Sequence, residues 1–267
     1  MQPRPVMISD ARMTDASNGP RTYAVTETLY QDERKTVYRA LRAGHDPRPV
    51  ILKVLDPRRC RERDLVRLRN EYETGAPLDL QAIVRPLAIE TYQGMPALVL
   101  EDCGGEPLDR LLGAPMPLEH FLVLASRIAG AVADLHARGL VHRDLKPANL
   151  LVHPTTFEVR IADLGLASRL PREQLPAAPP LIEGSLPYMS PEQTGRMNRA
   201  LDSRSDLYSL GVTYYQMLTG RLPFEARDPL EWVHCHVARS PPSPSEIVSD
   251  LPEVVSRIVL KLLAKMA

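Results

Sequence analysis

The chain has 267 residues, of which 44% are hydrophobic and 25% are charged, which is ordinary for a globular protein with its own core. Its 33 basic and 33 acidic residues give a formal net charge of zero, so charge does not favour nucleic acid or a membrane as the main partner. The sequence has no apolar run of about 18 residues, and its three cysteines lack metal-type spacing, so we expect a cytoplasmic protein with reduced thiols.

The first part of the chain changes from a polar lead-in to strand-like runs. Residues 1–20 are polar and end in an Asn-Gly-Pro breaker, which predicts a flexible N-terminal segment. Apolar and β-branched residues are then concentrated in residues 23–26, 36–40 and 50–55. Their short length and period predict three antiparallel strands.

Lys53 interrupts the most apolar of these strands. An ammonium group buried there without a partner would be costly, so the lysine needs a carboxylate or an anionic ligand. The alternative is an edge lysine whose aliphatic stem lies along the sheet while its charge stays in water.

The clearest helix in the sequence covers residues 118–138, and we expect Gly139 to cap it. This helix comes after a strand-like run at residues 97–100. The helix's apolar residues recur at helical spacing and predict a buried stripe. They are Leu118, Phe121, Leu122, Ala125, Ile128, Ala129, Val132 and Leu135.

The most specific pattern begins just after this helix. The string His142-Arg143-Asp144 is followed by Lys146 and Asn149, and then by Asp163-Leu164-Gly165 between apolar runs. Two acids, a carboxamide and a lysine are suited to holding metal ions and directing a hydroxyl group onto a phosphate. The pattern resembles the catalytic loop and D-F-G segment of eukaryotic-type Ser/Thr protein kinases, with Leu164 in place of Phe.

The resemblance implies ATP and Mg²⁺ as cofactors and gives each of these residues a role. Asp144 accepts the proton of the substrate hydroxyl or orients that hydroxyl, and Lys146 places a positive charge near the transferred group. Asn149 and Asp163 supply hard oxygen ligands for Mg²⁺, whose coordination is completed by water and the phosphates of ATP. His142 is expected to be structural and to pack beneath Asp163.

The same resemblance assigns Lys53 to the α- and β-phosphates of ATP. Glu71, on a helix predicted over residues 61–73, is its expected ion-pair partner, and Glu73 is the alternative on another side of that helix. One departure is Gly75, which occupies a position where the family usually has a large apolar residue. We expect this to leave the helix easier to displace.

The strand at residues 97–100 leads into a segment that resembles the connection between the two lobes of a kinase. Backbone groups of Glu101 and Cys103 would then hydrogen-bond adenine, and Leu100 would control access behind it. Without the flanking motifs, the same residues would be interpreted as a strand and a turn.

The glycine-rich kinase fingerprint is missing from the first hairpin. Its three glycine positions hold Tyr30, Asp32 and Lys35, so side chains there must point away from the nucleotide or keep the loop off it. Lys35 would attract a phosphate and Asp32 would repel one. We expect weakened, not abolished, ATP binding.

The expected activation segment lacks hydroxyl side chains between residues 169 and 184. We therefore expect no phosphorylation switch within it, although Ser168 and Ser185 flank it. Arg143, which in many kinases pairs with an activation-loop phosphate, is instead expected to meet Glu173 or Glu183.

Residues 184–192 resemble the family's G-T-x-x-Y-x-x-P-E motif. Ser185 takes the Thr position, where its hydroxyl is expected to bond Asp144 and Lys146. Asp206 lies in an apolar helix, where a buried acid must be hydrogen-bonded, and in the family it holds the backbone of the catalytic loop. Residues 194–199 resemble the N-terminal kinase domains of large bacterial signalling proteins that continue with ATPase, sensor and histidine kinase modules.

The last predicted helix starts at Pro252. Its expected apolar positions are Val255, Ile258, Val259, Leu262 and Leu263. The resemblance calls for roughly one more helix and an arginine partner for Glu192, so we expect a chain that is cut short and exposes apolar surface at the end of the large lobe.

These observations predict an α+β, two-lobed protein-kinase-like fold. A small antiparallel β lobe with one helix covers residues 21–100, and a larger, mainly helical lobe covers residues 101–267. The predicted function is ATP- and Mg²⁺-dependent phosphorylation of Ser/Thr hydroxyls on protein substrates in signalling. The alternative is a catalytically silent module that senses nucleotide or docks a partner.

Overall fold

The computed structural model of the protein describes residues 22–44, 47–169, 183–197 and 199–265. The predicted lead-in at residues 1–20 lies outside this range. The described chain divides into two compact units. The first holds the residues up to Asp79 together with Val84–Gly104, and the second holds Leu80–Ile83 and the residues from Gly105 onward.

The first unit is a five-stranded antiparallel sheet with one helix. The three strands predicted from the sequence are confirmed, and each is longer than predicted. The elements are β1 (Tyr23–Gln31), β2 (Lys35–Arg42), β3 (Arg48–Leu55), α1 (Glu62–Gly75), β4 (Pro86–Tyr92) and β5 (Met95–Glu101). The strand order across the sheet is β1-β2-β3-β5-β4.

Alternating side chains of this sheet form the core of the first unit. Ala40, Leu52 and Val99 are fully buried, as the period of two in a half-covered sheet requires. Helix α1 begins where the Asp64 carboxylate accepts a hydrogen bond of 2.9 Å from the N–H of Arg61, and it buries Leu68 and Glu71. The sheet and the buried side of α1 thereby place Lys53 and Glu71 in one apolar environment.

The second unit is mainly helical, with short strands around its loops. Residues 150–152 and 159–161 form an antiparallel pair of strands. The elements are β6 (Glu106–Pro107), α2 (Leu118–Ala137), β7 (Leu140–Val141), β8 (Leu150–Val152), β9 (Val159–Ile161), β10 (Ser168–Arg169), α3 (Ser203–Thr219), α4 (Pro229–Ala238), α5 (Pro244–Ile247) and α6 (Glu253–Leu262).

Helix α2 buries one narrow stripe against α3 and β9, which corrects part of the predicted core. Leu122 is 51% exposed and Ala129 is exposed, whereas Leu124 and Ala131 are buried. Apolar residues beside the contact stripe stay in water because a helix packs along a limited arc of its surface. The predicted burial of Ile258 in α6 is wrong for the same reason, since Ile258 is 55% exposed whereas Val255 and Val259 are buried.

Helix α3 is buried along most of its length and carries Asp206 in its first turn, with no exposed surface on that residue. The Asp202 carboxylate caps α3 by accepting a 2.8 Å hydrogen bond from the N–H of Arg204. Gly220 ends the helix with φ of 71°, a left-handed conformation that suits glycine. In the described parts of the chain, every helix is too short or too polar to cross a lipid bilayer.

Candidate active site

The backbone of the segment 142–149, which we call the catalytic loop, is held by Asp206. One carboxylate oxygen accepts the N–H of His142 at 2.8 Å, and the other accepts the N–H of Arg143 at 2.9 Å. These bonds stabilise Arg143 in a left-handed conformation with φ of 69°, which is uncommon for a residue other than glycine. The anchoring role predicted for Asp206 is therefore seen in its contacts.

Asp206 has a third partner that was not predicted from the sequence. The Nε2 atom of His136, in the last turn of α2, lies 2.8 Å from Asp206 Oδ2. This contact joins residues that are far apart in sequence, and no local pattern marks His136. The buried carboxylate thus has three polar neighbours, as a charge without solvent requires.

The side chain of Asp144 is fixed between two donors. Its Oδ2 accepts a 2.9 Å hydrogen bond from Lys146 Nζ, and its Oδ1 accepts a 2.7 Å bond from the backbone N–H of Ser185. Lys146 Nζ also donates to Ser185 Oγ at 2.6 Å. The predicted hydroxyl contact is therefore seen with Lys146, whereas the observed link to Asp144 uses the main chain of Ser185. A carboxylate has about four lone-pair sites, so Asp144 keeps the capacity to accept a further proton donor.

Two other residues shape the surroundings of Asp144. Gln193 Nε2 donates to the carbonyl oxygen of Arg143 at 2.6 Å, a contact that the sequence did not predict. Gly184 has φ of 105°, and a Cβ atom there would lie 3.3 Å from both Arg143 O and Asp144 Oδ1. The conformation favours glycine at this position, and a Cβ atom would crowd these two oxygens.

Asn149 and Asp163 stand at neighbouring ends of the β8–β9 pair. Asn149 Nδ2 donates to the carbonyl of Asp144 at 2.9 Å, which leaves the amide oxygen as the atom suited to a cation. The N–H of Ala162 donates to the carbonyl of Asn149 at 2.8 Å, and Asp163 then turns into a left-handed conformation with φ of 65°. His142, which is fully buried, places Nε2 3.0 Å from the carbonyl oxygen of Ala162, next to Asp163.

The Asn149 amide and the Asp163 carboxylate are hard oxygen donors, the ligand type that Mg²⁺ prefers. Within the described residues, no group of three or more His, Cys, Asp and Glu side chains could hold a metal ion. Two hard oxygen ligands match Mg²⁺, which retains water and binds phosphate oxygens.

Lys53 and Glu71 form an ion pair in the first unit. Lys53 Nζ lies 2.7 Å from Glu71 Oε2, and the two side chains are only 13% and 3% exposed. Glu73, the alternative partner, is exposed on another side of α1. The lysine is thus paired, and the interpretation of Lys53 as a snorkelling edge residue is wrong.

Leu100, Glu101 and Cys103 lie at the end of β5 and in the segment that follows. Leu100 is buried, and Glu101 is held by two hydrogen bonds with Arg85, from its own N–H at 3.0 Å and to its side chain at 2.9 Å. Cys103 is half-buried. Binding of adenine by these residues stays a prediction.

A family model described as "Protein kinase domain" matches residues 23–267 of the chain. The chain belongs to the protein kinase family. Its predicted two-part α+β kinase fold is thereby confirmed.

Several bacterial serine/threonine-protein kinases are among the curated relatives of this kinase domain. It is 34% identical to the serine/threonine-protein kinase PknL of Mycobacterium tuberculosis over 240 residues, which are 89% of this chain and 59% of the relative. It is 31% identical to pkn3 of Myxococcus xanthus, over 91% of this chain and 46% of the relative. It is 33% identical to the DNA damage-responsive serine/threonine-protein kinase RqkA of Deinococcus radiodurans, over 92% of this chain and 37% of the relative. The chain therefore spans about a third to three fifths of the length of these relatives.

The β1–β2 hairpin of this kinase domain is ordered by Asp32. Asp32 Oδ1 accepts the N–H groups of Arg34 at 2.7 Å and Lys35 at 2.8 Å, and Oδ2 accepts the hydroxyl of Tyr30 at 3.0 Å. Although burial acts to raise it, these amide bonds hold the pKa of Asp32 below its usual value. The turn of the hairpin is therefore stabilised by hydrogen bonds between residues of the hairpin itself.

The expected activation segment of the kinase domain is described only at its two ends. Residues 170–182 lie outside the described chain, and with them the predicted contact between Arg143 and Glu173. The alternative contact with Glu183 stays a prediction. At the far end, Glu192 accepts a 2.5 Å hydrogen bond from Ser205 Oγ.

Proposed function

We propose that this chain is the catalytic domain of a Ser/Thr protein kinase that transfers the γ-phosphate of ATP to hydroxyl groups of protein substrates. The observation that carries the proposal is the fixed Asp144 carboxylate, held by Lys146 and Ser185 and still able to accept a hydroxyl proton. The curated relatives are named Ser/Thr protein kinases, which does not favour the nucleotide-sensing alternative.

In the proposed mechanism, Asp144 orients the substrate hydroxyl for in-line attack and accepts its proton. Lys146 neutralises charge that develops on the transferred phosphoryl group. Its ammonium already lies between Asp144 and Ser185, so little reorganisation is needed during the reaction.

We assign the remaining predicted site residues to the nucleotide and its metal. Asn149 and Asp163 would hold Mg²⁺, which, when bound, neutralises phosphate charge. Lys53, oriented by Glu71, would contact the α- and β-phosphates. The adenine would be bound by backbone groups of Glu101 and Cys103 beside Leu100. The Lys53–Glu71 distance and the orientation of the Asn149 amide support these assignments.

The proposal is tested by γ-phosphate transfer from ATP and Mg²⁺ to a generic Ser/Thr acceptor protein. We expect Asp144→Asn to reduce kcat by about 10²–10⁴-fold. Asp134→Asn, an exposed position on α2, is the matched control and should retain full activity. If the folded chain binds ATP but transfers no phosphate, the nucleotide-sensing function replaces this proposal.

We further propose that this domain belongs to a larger cytoplasmic signalling protein with ATPase, sensor and histidine kinase modules downstream. The support is the sequence of residues 194–199 and the greater length of the relatives. Immunoblotting of fractionated source cells tests this, because the native polypeptide should be soluble and far larger than the 29.8 kDa of this chain. A native band near that mass would contradict the proposal.

A further inference from the structure

A buried line of hydrogen bonds in the second unit has no part in the mechanism described above. His236 of α4 has no exposed surface, and its Nε2 atom lies 2.8 Å from the carbonyl oxygen of Leu186. Its Nδ1 atom lies 3.0 Å from the hydroxyl of Tyr208, which in turn accepts a 3.0 Å hydrogen bond from Lys265 Nζ. Four polar groups therefore form a chain from Lys265, which follows α6, to the carbonyl of Leu186.

The chemistry of these groups sets the direction of each bond. An ammonium group can only donate, so the Tyr208 oxygen accepts from Lys265 and its own hydrogen is directed to His236 Nδ1. A neutral imidazole carries one N–H, which then resides on Nε2 and donates to the carbonyl of Leu186. Burial lowers the pKa of His236 to about 4, so the ring is neutral at physiological pH.

Aromatic packing fixes the orientation of the imidazole ring. The ring of Trp232 stacks on it with centroids 5.8 Å apart and an interplanar angle of 18°. Phe224 and Tyr208 contact it edge-on, each with a centroid distance of 5.7 Å. The donor on Nε2 therefore has one available direction, and Leu186 lies in it.

The Leu186 carbonyl belongs to a segment that borders Asp144. Ser185, the preceding residue, donates its N–H to Asp144 and accepts from Lys146. At the other end of the segment, Ser209 Oγ donates to the carbonyl of Tyr188 at 2.7 Å. A polypeptide that presents a hydroxyl to Asp144 must lie alongside the residues bonded to Asp144. We call residues 185–188 the acceptor-side segment.

We propose that His236 is a positioning residue for protein-substrate binding. By donating to the Leu186 carbonyl, it holds the acceptor-side segment in the shape that receives the polypeptide, and Tyr208 and Lys265 select the required tautomer. The inference rests on the proposed kinase function but concerns the protein acceptor and not the nucleotide.

The test compares His236→Leu with His236→Gln by steady-state kinetics. Leucine fills much of the space but has no donor, whereas the glutamine amide can replace Nε2–H as a donor to Leu186. We expect His236→Leu to raise the KM for a protein acceptor about tenfold, as for one lost buried hydrogen bond, with the KM for ATP unchanged. His236→Gln should recover most of this loss.

Amide hydrogen exchange provides a readout that needs no activity. We expect exchange at residues 185–190 to accelerate in His236→Leu and to remain near wild type in His236→Gln. Tyr208→Phe, which keeps the ring and removes the donor to Nδ1, should show a smaller acceleration in the same residues. It also supplies the test if His236→Leu does not fold.

The possible outcomes separate this inference from the proposed function. If the wild-type chain transfers no phosphate, the kinase proposal fails, and hydrogen exchange alone decides whether His236 holds the acceptor-side segment. If the wild type is active but His236→Leu changes neither acceptor KM nor exchange, the inference is wrong. An equal rise in the KM values for ATP and acceptor would also overturn it, since that indicates a general structural role.

Discussion

The catalytic loop of the second unit and the β1–β2 hairpin of the first are stabilised by the same chemistry in opposite surroundings. In each, one aspartate carboxylate accepts two consecutive backbone N–H groups. Asp206 is fully buried and reaches the loop from a distant helix, whereas Asp32 is exposed and bonds residues two and three positions further along. The same number of amide hydrogen bonds to a carboxylate therefore does not imply the same contribution to stability.

The two carboxylates differ in stabilising effect because water can take the place of an exposed carboxylate but not of a buried one. If Asp206 were removed, the N–H groups of His142 and Arg143 would be left in a buried site, and each would bear the cost of desolvation. If Asp32 were removed, water could bond the exposed amides of Arg34 and Lys35 directly. The conformation of the catalytic loop thus depends on tertiary structure, and that of the hairpin on its own sequence.

The largest effect is expected for Asp206→Ala. Removing the carboxylate leaves the N–H groups of His142 and Arg143 and the ring of His136 without their buried partner. We therefore expect the free energy of unfolding to fall by about 3–5 kcal/mol and phosphate transfer to be lost. Urea denaturation and the transfer assay measure both. Asp228→Ala is the matched control, because Asp228 also accepts two amides, from Leu230 and Glu231, but is exposed at the start of α4. A comparable loss in both variants would contradict the role of burial.

Acidification should affect the second unit well before it affects the hairpin. Burial lowers the pKa of His236 to about 4 from 6.5, so between these values the unfolded chain binds more protons than the folded one. Stability should therefore fall by up to about 3 kcal/mol as the pH drops from 6.5 to 4. Asp32, with its lowered pKa, loses its contribution only below its ordinary value of 3.8.

Urea denaturation of the wild type and of His236→Gln over this pH range tests the expectation. The variant lacks the titrating imidazole and should show a flatter pH dependence. An equally steep dependence in the variant would assign the acid sensitivity to other groups.

The buried ion pair of Lys53 and Glu71 in the first unit tests whether burial determines how much a polar contact contributes to stability, whichever unit it lies in. Lys53→Met leaves the Glu71 carboxylate at 3% exposure without its ammonium partner, so we expect a loss of about 2–3 kcal/mol in unfolding free energy. Calorimetry or urea denaturation measures it. The double variant Lys53→Met with Glu71→Leu should recover most of the loss, and a double variant as unstable as Lys53→Met would refute the pairing argument.

The smallest effect is expected for Asp32→Ala. The hydrogen bonds from the N–H groups of Arg34 and Lys35 to Asp32 are exposed. We therefore expect the free energy of unfolding to fall by only about 0.5–1 kcal/mol. ATP binding, measured by titration calorimetry with Mg²⁺, should be retained or strengthened by less than about tenfold, because a negative charge near the phosphates is removed. Asp32→Asn keeps an oxygen for both amides but loses the charge, and it should match wild-type stability. Weaker ATP binding in both variants would show that the Asp32 carboxylate assists the nucleotide.

The sequence predicted the elements whose cause is local. Alternation in residues 23–55 predicted three strands of the first sheet, and the helical period of residues 118–138 predicted α2. The same period failed for Leu122 and Ile258, because it marks which residues are apolar but not which arc of the helix its neighbours cover. Asp144, Lys146, Asn149 and Lys53 were predicted as site residues because the proposed chemistry requires particular residue types at fixed spacings.

The sequence by itself determined the family pattern, the short elements and the residue types at the candidate site. Only the tertiary structure decided which partners hold those residues. The contacts of Asp206 with His136, of Gln193 with Arg143 and of His236 with Leu186 each join residues at least 50 positions apart. No local period or motif encodes such contacts, because they arise when separate elements pack and their buried polar groups must find donors and acceptors within reach.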